Sequence, residues 1–270
     1  MSPTQLHHYF TRANAVASAT PNRELLSVLQ RSHAFTFPFE NLFPLLNIPV
    51  LLDTDTLYNK MVVERRGGYC YEQNMLFLNV LRSLHFNVRG ITGRVMERGK
   101  GFLRRTHMLL LVEINGITYV SDVGFGGDAP CIPLTLETNK VQTTPSGDYR
   151  LIADKKYGYI LQEYFYKKWR TLYCFDLSEQ DISDFEVGNW YTSTHPDSHF
   201  KKDLTASIKR NYNRYSLFNR TFSTYHTDGT HEKKVLKTVS EIREILSDVF
   251  TINLEGLPDL DNKLKEIIKT

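Results

Sequence analysis

Three side chains of the kinds used in nucleophilic acyl chemistry occur in order along this chain. Cys70 sits in Arg66-Gly67-Gly68-Tyr69-Cys70-Tyr71-Glu72-Gln73-Asn74, and His107 in Arg105-Thr106-His107-Met108. Asp122 opens Asp122-Val123-Gly124-Phe125-Gly126-Gly127. Together they make a thiolate to attack a carbonyl carbon, an imidazole to carry the proton, and a carboxylate to fix the imidazole's tautomer and orientation. Alone, each has a plainer explanation. A cysteine ahead of a helix is commonly a small buried hydrophobe. A histidine starting a strand is usually structural, and an aspartate ending one is usually a turn residue.

The elements around them raise the odds. Asn115-Gly116 between two apolar runs is the signature of a two-residue type I′ hairpin. With those two as the loop, Ile114 faces Ile117, Glu113 faces Thr118, and the ladder continues down to Leu109 opposite Asp122. Side chains alternate with a period of 2, so His107 shares a face with Leu109 and Asp122. Such diagonal neighbours lie about 7–8 Å apart or less, within reach of a carboxylate and an imidazole. Cys70 precedes Phe77, Val80, Leu81 and Leu84, whose spacing predicts a buried helix over about 71–84. A helix N-terminus and a nearby imidazolium each stabilise a thiolate. Gly67-Gly68 is expected to allow a sharp turn and to leave room for a substrate carbonyl beside the sulfur. The approach of Cys70 to His107 joins distant segments, so the fold has to supply it.

The rest of the chain reads as α+β. Its 270 residues are 41% hydrophobic and 12% aromatic, ample for a core, which excludes a disordered tail. Thirty-three Lys+Arg against 30 Asp+Glu leave a formal +3, too mild for a dedicated nucleic-acid binder. No signal-peptide pattern or bilayer-length apolar run is present, and three cysteines suit a reducing cytoplasm, so a soluble cytoplasmic protein without membrane association is expected. The first eighty or so residues read as helical, with starts at Pro21-Asn22 and Asp53; the second helix is stopped by Gly67-Gly68. From about residue 86, Phe86–Val95, Thr106–Ile114, Ile117–Val123, Tyr157–Tyr166 and Trp169–Phe175 read as strands of an antiparallel sheet or small barrel. Strands around Tyr212–Tyr225 and Lys233–Val239, a helix from Ser240 and a short one after Pro258 complete the chain.

With these residues in place, the sequence resembles the arylamine N-acetyltransferase family. The likeness covers most of the chain. It includes Pro38-Phe39-Glu40-Asn41-Leu42, Arg66 to Asn74, Thr106-His107, Asp122 to Gly127, and Asn189-Trp190-Tyr191-Thr192-Ser193-Thr194-His195-Pro196 with Ser198 and Phe200. The resemblance implies an N-terminal helical bundle carrying the nucleophile (1–85), a central antiparallel β-barrel carrying His and Asp (86–190) and a C-terminal α/β lid (191–270), around a cysteine-protease-like core. It implies ping-pong acetyl transfer from acetyl-CoA to arylamines and arylhydrazines, a chemistry of xenobiotic metabolism that needs no metal. Cys70, His107 and Asp122 are then catalytic. Phe39, Phe125 and Phe200 match aromatic positions lining the acceptor pocket, and Gly126 and Gly127 fall in the loop passing close to CoA.

Other features are weighed against plainer explanations. The CoA phosphates could pair with Arg98, Lys100, Arg104 and Arg105, or with Lys209, Arg210 and Arg214, although such charges by default form a solvated face. His195 and His199 make a poor metal pair, because Pro196 intervenes and no carboxylate or thiolate signature accompanies them. Arg66 and Glu40 are expected to form a buried ion pair seating the loop before Cys70. Cys131 and Cys174 read as inert packing residues. The nearest rival is a thiol hydrolase or transglutaminase-like enzyme with the same Cys, His, Asp order, and a catalytically silent binding module is a second.

Overall fold

The computed structural model describes residues 1–16, 20–97 and 99–269. Its first third is helical. Helix α1 (Pro3–Ala13) starts at a Ser2/Gln5 capping box, and α2 (Arg23–Thr36) starts where the Asn22 side chain accepts the Leu25 N–H. Two short helices follow, α3 (Leu42–Leu45) and α4 (Thr54–Leu57), the second running on into a π-helical turn over Tyr58–Val63. Helix α5 (Cys70–Ser83) is sheathed by the others and buries eleven of its fourteen residues.

An eight-stranded antiparallel sheet forms the middle. In chain order its strands are β2 (Asn87–Glu97), β3 (Gly101–Ile114), β4 (Ile117–Ser121), β5 (Leu134–Thr135), β6 (Val141–Thr144), β7 (Gly147–Asp154), β8 (Gly158–Phe165) and β9 (Lys168–Phe175). In space they run β5-β4-β3-β2-β9-β8-β7-β6. The sheet curls into a nearly closed barrel. Between the two edge strands the Gln142 side chain supplies the missing ladder, accepting from the Thr135 N–H at 2.8 Å and donating to the Thr135 carbonyl at 2.9 Å. Ile91, Leu109, Leu111, Tyr149, Leu161 and Tyr173 fill the interior.

A second sheet ties the two ends of the chain together. Strand β1 (Phe39–Glu40) pairs with β10 (Thr205–Arg210), followed by β11 (Asn213–Phe218), β12 (Thr221–Tyr225) and β13 (His231–Val235). Its apolar face packs with Leu42 and Leu45 against helices α7 (Val239–Glu244) and α8 (Leu260–Lys269). Helix α6 (Ile182–Thr194) links the sheets and packs on β3, and Tyr71 of α5 reaches it where a Cβ at Gly188 would fall 2.0 Å from the tyrosine hydroxyl.

The architecture is α+β as read from the sequence, with local differences. Strand β3 begins at Gly101, so His107 lies inside a strand and does not start one. The π-helical turn ends at Val63, ahead of Gly67-Gly68. Helix α6 and strand β10 carry no clear pattern. The apolar residues of α6 point all round it, leaving Ile182, Val187 and Trp190 exposed while Phe185 is buried, so no single stripe marks a helix. Among the described residues, no helix is long and apolar enough to cross a membrane.

Candidate active site

Cys70 occupies the first turn of α5, following Tyr69 in extended conformation. A fully buried charge relay seats this turn. The Glu72 carboxylate accepts the Tyr69 N–H at 3.1 Å and the Lys60 ammonium at 2.6 Å, and Lys60 lies 3.7 Å from Glu40, which accepts the Leu42 N–H at 2.6 Å. Burial pushes the Glu72 carboxyl up and Lys60 pulls it down, with burial the larger effect. The expected Arg66–Glu40 pair is therefore incorrect. Arg66 turns outward to Glu64 at 3.4 Å and to the Glu255 carbonyl at 2.6 Å, and Lys60, from the turn after α4, takes its place. The Arg66 head is taken by the Glu255 carbonyl, whereas the Lys60 side chain is buried and its ammonium lies 3.8 Å from the Phe43 ring centroid.

The glycines before Cys70 serve packing. Neither has positive φ. A Cβ at Gly67 would fall 2.1 Å from the Pro38 carbonyl oxygen, and one at Gly68 would fall 2.8 Å from the Glu72 side chain. Bare backbone lets this loop press against β1 and its own helix, which replaces the expectation of a sharp turn with substrate room. Buried His33 and Gln73 brace it further. His33 bonds Gln73 at 2.6 Å, and Gln73 donates to the carbonyls of Pro38 and Gly68 at 2.8 and 3.1 Å. Burial lowers the His33 pKa to about 3, keeping it neutral.

The hairpin follows the expected register. Asn115 and Gly116 both have positive φ, and pairs run from Ile114↔Ile117 to Leu110↔Ser121. Asp122 follows directly and accepts from His107 Nε2 at 2.7 Å, both side chains being buried. Its other oxygen accepts the Gly124 N–H at 2.7 Å and Asn74 Nδ2 at 3.0 Å. Burial pushes the Asp122 carboxyl up, but His107 and these two donors outweigh it and hold the group below its ordinary value.

Two features bring the thiol to this pair. In β3, His107 opposes Gly93 and Arg105 opposes Arg94, so Thr106 is the extra residue of a β-bulge. Its carbonyl accepts the Cys70 thiol at 3.4 Å. The second is Asn74, one turn beyond Cys70 on α5. Besides Asp122 it donates to the Met108 carbonyl at 2.7 Å and accepts the Val123 N–H at 3.2 Å, stitching the nucleophile's helix to both strands of the hairpin. Gly124 sets the closeness of that seam, since a Cβ there would lie 2.8 Å from Cys70 Cα and 2.4 Å from Asn74 Nδ2. With Nε2 committed to Asp122, Nδ1 is the ring nitrogen left for the thiol. Burial alone would lower the His107 pKa, but the Asp122 charge and hydrogen bond, reinforced by Cys70, raise it to about 10. The ring is walled by Phe125 at 4.9 Å and Tyr173 at 4.7 Å between centroids.

A cleft of about 540 Å³ opens over Cys70 and His107. Phe39, Phe125 and Phe200 line it, with Phe39 and Phe200 6.0 Å apart, and so do Gly126 and Gly127. Asp122 lies behind, fully buried. Gly126 has φ +60°, and its missing Cβ leaves space for the Ser207 hydroxyl; the Gly127 N–H donates to that hydroxyl at 3.0 Å, and the Arg214 stem fills the place of a Gly127 Cβ. Both glycines are thus demanded by the second sheet whatever ligand passes them.

The basic candidates divide. Arg104 and Arg214 line the cleft. Lys100 pairs with Glu97, Arg105 with Asp176, Arg210 donates to the Thr251 hydroxyl, and buried Lys209 donates to the Ala129 carbonyl. Arg98 lies outside the described residues. Arg170 of β9 also lines the cleft and is a residue that sequence reasoning missed, because nothing in Lys168-Trp169-Arg170 distinguishes it from a solvated strand edge. His195 stacks on Tyr191, and the His199 ring meets Phe200 at a 49° tilt. Cys131 and Cys174 are free and buried.

Comparison with known proteins gives consistent results. A family profile described as N-acetyltransferase matches residues 23–258. The arylamine N-acetyltransferase of Escherichia coli is 38% identical over 252 residues, covering 93% of this chain and 89% of that protein. The solved structure of Mycobacterium marinum arylamine N-acetyltransferase superposes with a TM-score of 0.93 at 35% identity, over 97% of this chain and 99% of that one. A structure of the M. marinum protein in complex with CoA gives 0.92 at 35% identity, with the same coverage of both chains.

Proposed function

We propose, from the premise that this chain belongs to the arylamine N-acetyltransferase family and is an acyltransferase, that it moves acetyl from acetyl-CoA to the nitrogen of an arylamine or arylhydrazine through an acetyl-Cys70 intermediate. The observation that supports the reading is the set Asp122, His107, Cys70, in which the carboxylate holds Nε2 and leaves Nδ1 as the ring nitrogen free for the neighbouring thiol. A His107 pKa raised to about 10 keeps the ring protonated at neutral pH, so the resting pair is an imidazolium facing a sulfur nucleophile.

In the first half-reaction the Cys70 sulfur attacks the thioester carbonyl, the bond to the CoA sulfur breaks, and that sulfur leaves with the proton from His107 Nδ1. Exchange of one thioester for another is nearly balanced, so the step is readily reversed. His107 is now neutral. In the second half-reaction the uncharged amine attacks the acetyl carbon, its proton passes to Nδ1, and Cys70 leaves as the thiolate, restoring the starting pair. The N–H groups at the start of α5 are the oxyanion donors in this scheme, each worth about 3–4 kcal/mol in the transition state. Phe39, Phe125 and Phe200 form the aromatic wall for the acceptor ring, and the Gly126–Gly127 turn borders the donor's path. The cytoplasm supplies both the donor and a reducing setting for the free thiol.

The test is intact-protein mass spectrometry. Acetyl-CoA alone is expected to add one acetyl group, mapped to Cys70, which an added arylamine discharges to the N-acetyl product. Protein that stays unlabelled, or an adduct that only water discharges, refutes the reading and favours a thiol hydrolase.

A further inference from the structure

Away from the triad, a cluster of charges is built into the wall of the same cleft, where the Gly126–Asp128 turn meets β8, β9 and β11. Asp128 pairs with Arg170 at 2.9 Å and accepts a hydrogen bond from Arg214. Glu163 pairs with Arg170 and lies 3.9 Å from Arg214. The guanidiniums lie over aromatic rings, Arg170 at 4.6 Å from the Phe165 centroid, and Arg214 at 4.6 Å from Phe165 and 4.3 Å from Tyr225. The Arg214 stem is pinned in the space that a Gly127 Cβ would take, which fixes its head at the cleft wall.

This cluster is one anion short. Arg170, Arg214 and buried Lys209 set three cations against the carboxylates of Asp128 and Glu163. Lys209 has the Ala129 carbonyl as its hydrogen-bond acceptor, and burial pushes its pKa down, with Cys131, Glu163 and Asp122 only partly opposing; of these Asp122 is already committed to His107. Arg170 Nε is buried without a hydrogen-bond partner. Positive charge withdrawn from water, as at Arg214 and Lys209, is costly unless an anion completes it, and the Arg214 fork together with the more exposed Arg170 fork matches the oxygens of a phosphate. Asp128 is the more solvent-exposed acid, its side chain at 30% against 6% for Glu163, and it stands on the turn that borders the cleft.

We infer that Arg170 and Arg214 form the receptor for a phosphate group of the acyl donor, and that Asp128 is the counter-ion which that phosphate displaces. The inference rests on the reading that the donor is an acyl-CoA. Both the diphosphate and the 3′-phosphate of such a donor carry the required chemistry.

Titration calorimetry with CoA, dephospho-CoA and pantetheine separates the cases without needing turnover. Arg170→Gln is expected to shrink the preference for CoA over pantetheine about ten-fold, the worth of a lost charge-assisted bond. Arg170→Lys keeps the charge beside Glu163 but loses the fork, so it shows a smaller loss in the same direction and serves if the glutamine variant does not fold. Asp128→Asn removes the competing anion and is expected to tighten CoA about three-fold; a merely structural role for Asp128 would weaken it. If the Arg170→Gln loss persists with dephospho-CoA, the diphosphate is the bound group; if it vanishes, the 3′-phosphate is. An unchanged preference for CoA in Arg170→Gln, or weaker CoA binding in Asp128→Asn, overturns the inference. The functional reading fails separately: acetyl-CoA that leaves Cys70 unlabelled refutes acyl transfer, while loss of the CoA preference in Arg170→Gln still assigns the phosphate receptor.

Discussion

Replacing Asp122 by Asn probes the carboxylate through a constraint that the structure imposes on the amide. One oxygen of Asp122 accepts two donors, the Gly124 N–H and Asn74 Nδ2. In Asp122→Asn that position must remain an oxygen, because an NH2 group there would face two N–H donors. The amide nitrogen is therefore forced into the place of the oxygen that holds His107 Nε2. Nε2 must then accept, so the neutral ring carries its only proton on Nδ1, has no lone pair there to take the proton of the thiol, and cannot form the imidazolium–sulfur pair of the wild type. The loss of the carboxylate charge also leaves Cys70 as the remaining opponent of burial, so the His107 pKa falls from its raised position. A wrong tautomer of this kind costs roughly 10³–10⁴-fold, about 4–5.5 kcal/mol of barrier. The assay is single-turnover acetylation of Cys70 by acetyl-CoA, quenched and read by mass spectrometry, with CoA affinity measured in parallel. Acetylation slowed by that factor with CoA binding intact is the expected result. A rate within ten-fold of wild type would refute the assignment of Asp122.

Asn74→Ala removes three bonds that join α5 to the hairpin, and is expected to slow acetylation about 10–100-fold and to lower stability by about 2–4 kcal/mol, checked by single-turnover kinetics and chemical denaturation. Phe125→Ser opens the aromatic wall beside His107, so the amine half-reaction should lose its preference among ring-substituted acceptors while acetylation of Cys70 changes less; comparing the two half-reactions decides it. His33, lowered to about 3 in the fold against about 6.5 unfolded, has no effect on stability above pH 6.5; below that the unfolded chain takes up a proton that the native state refuses, and stability is lost as pH falls toward 3. Between pH 7 and 4 this amounts to about 3 kcal/mol, so His33→Gln should flatten the acid limb of the melting temperature against pH, and an equally steep limb would contradict it.

Legibility in the sequence followed the range of the interaction. Asn115-Gly116 specifies a turn whose register is local, and that register carries Asp122 to His107 without any knowledge of the rest of the fold. The helix starting at Cys70 was equally local. What joins the two is not local. The bulge at Thr106 leaves no mark on the alternation of β3, and Asn74 reads as one polar residue on a helix until its three partners, 34 to 49 positions away, are in place. The Lys60–Glu72–Glu40 relay was misread as Arg66–Glu40 because charge type is visible in a sequence and the direction of a side chain is not. Gly67, Gly68, Gly126 and Gly127 were recognisable as important, but the reason lies in the neighbours their missing Cβ atoms admit, which only packing shows. Helix α6 hid because its exposed Trp190 and Val187 mix with buried Phe185 and leave no stripe.

The most direct measurement is a crystal structure of the protein with CoA bound. The account predicts the CoA sulfur in van der Waals contact with Cys70 Sγ, about 4 Å or less, with His107 Nδ1 turned to both sulfurs and Nε2 still on Asp122. A CoA whose sulfur ends away from Cys70, or a His107 ring whose Nδ1 faces neither sulfur, would contradict it.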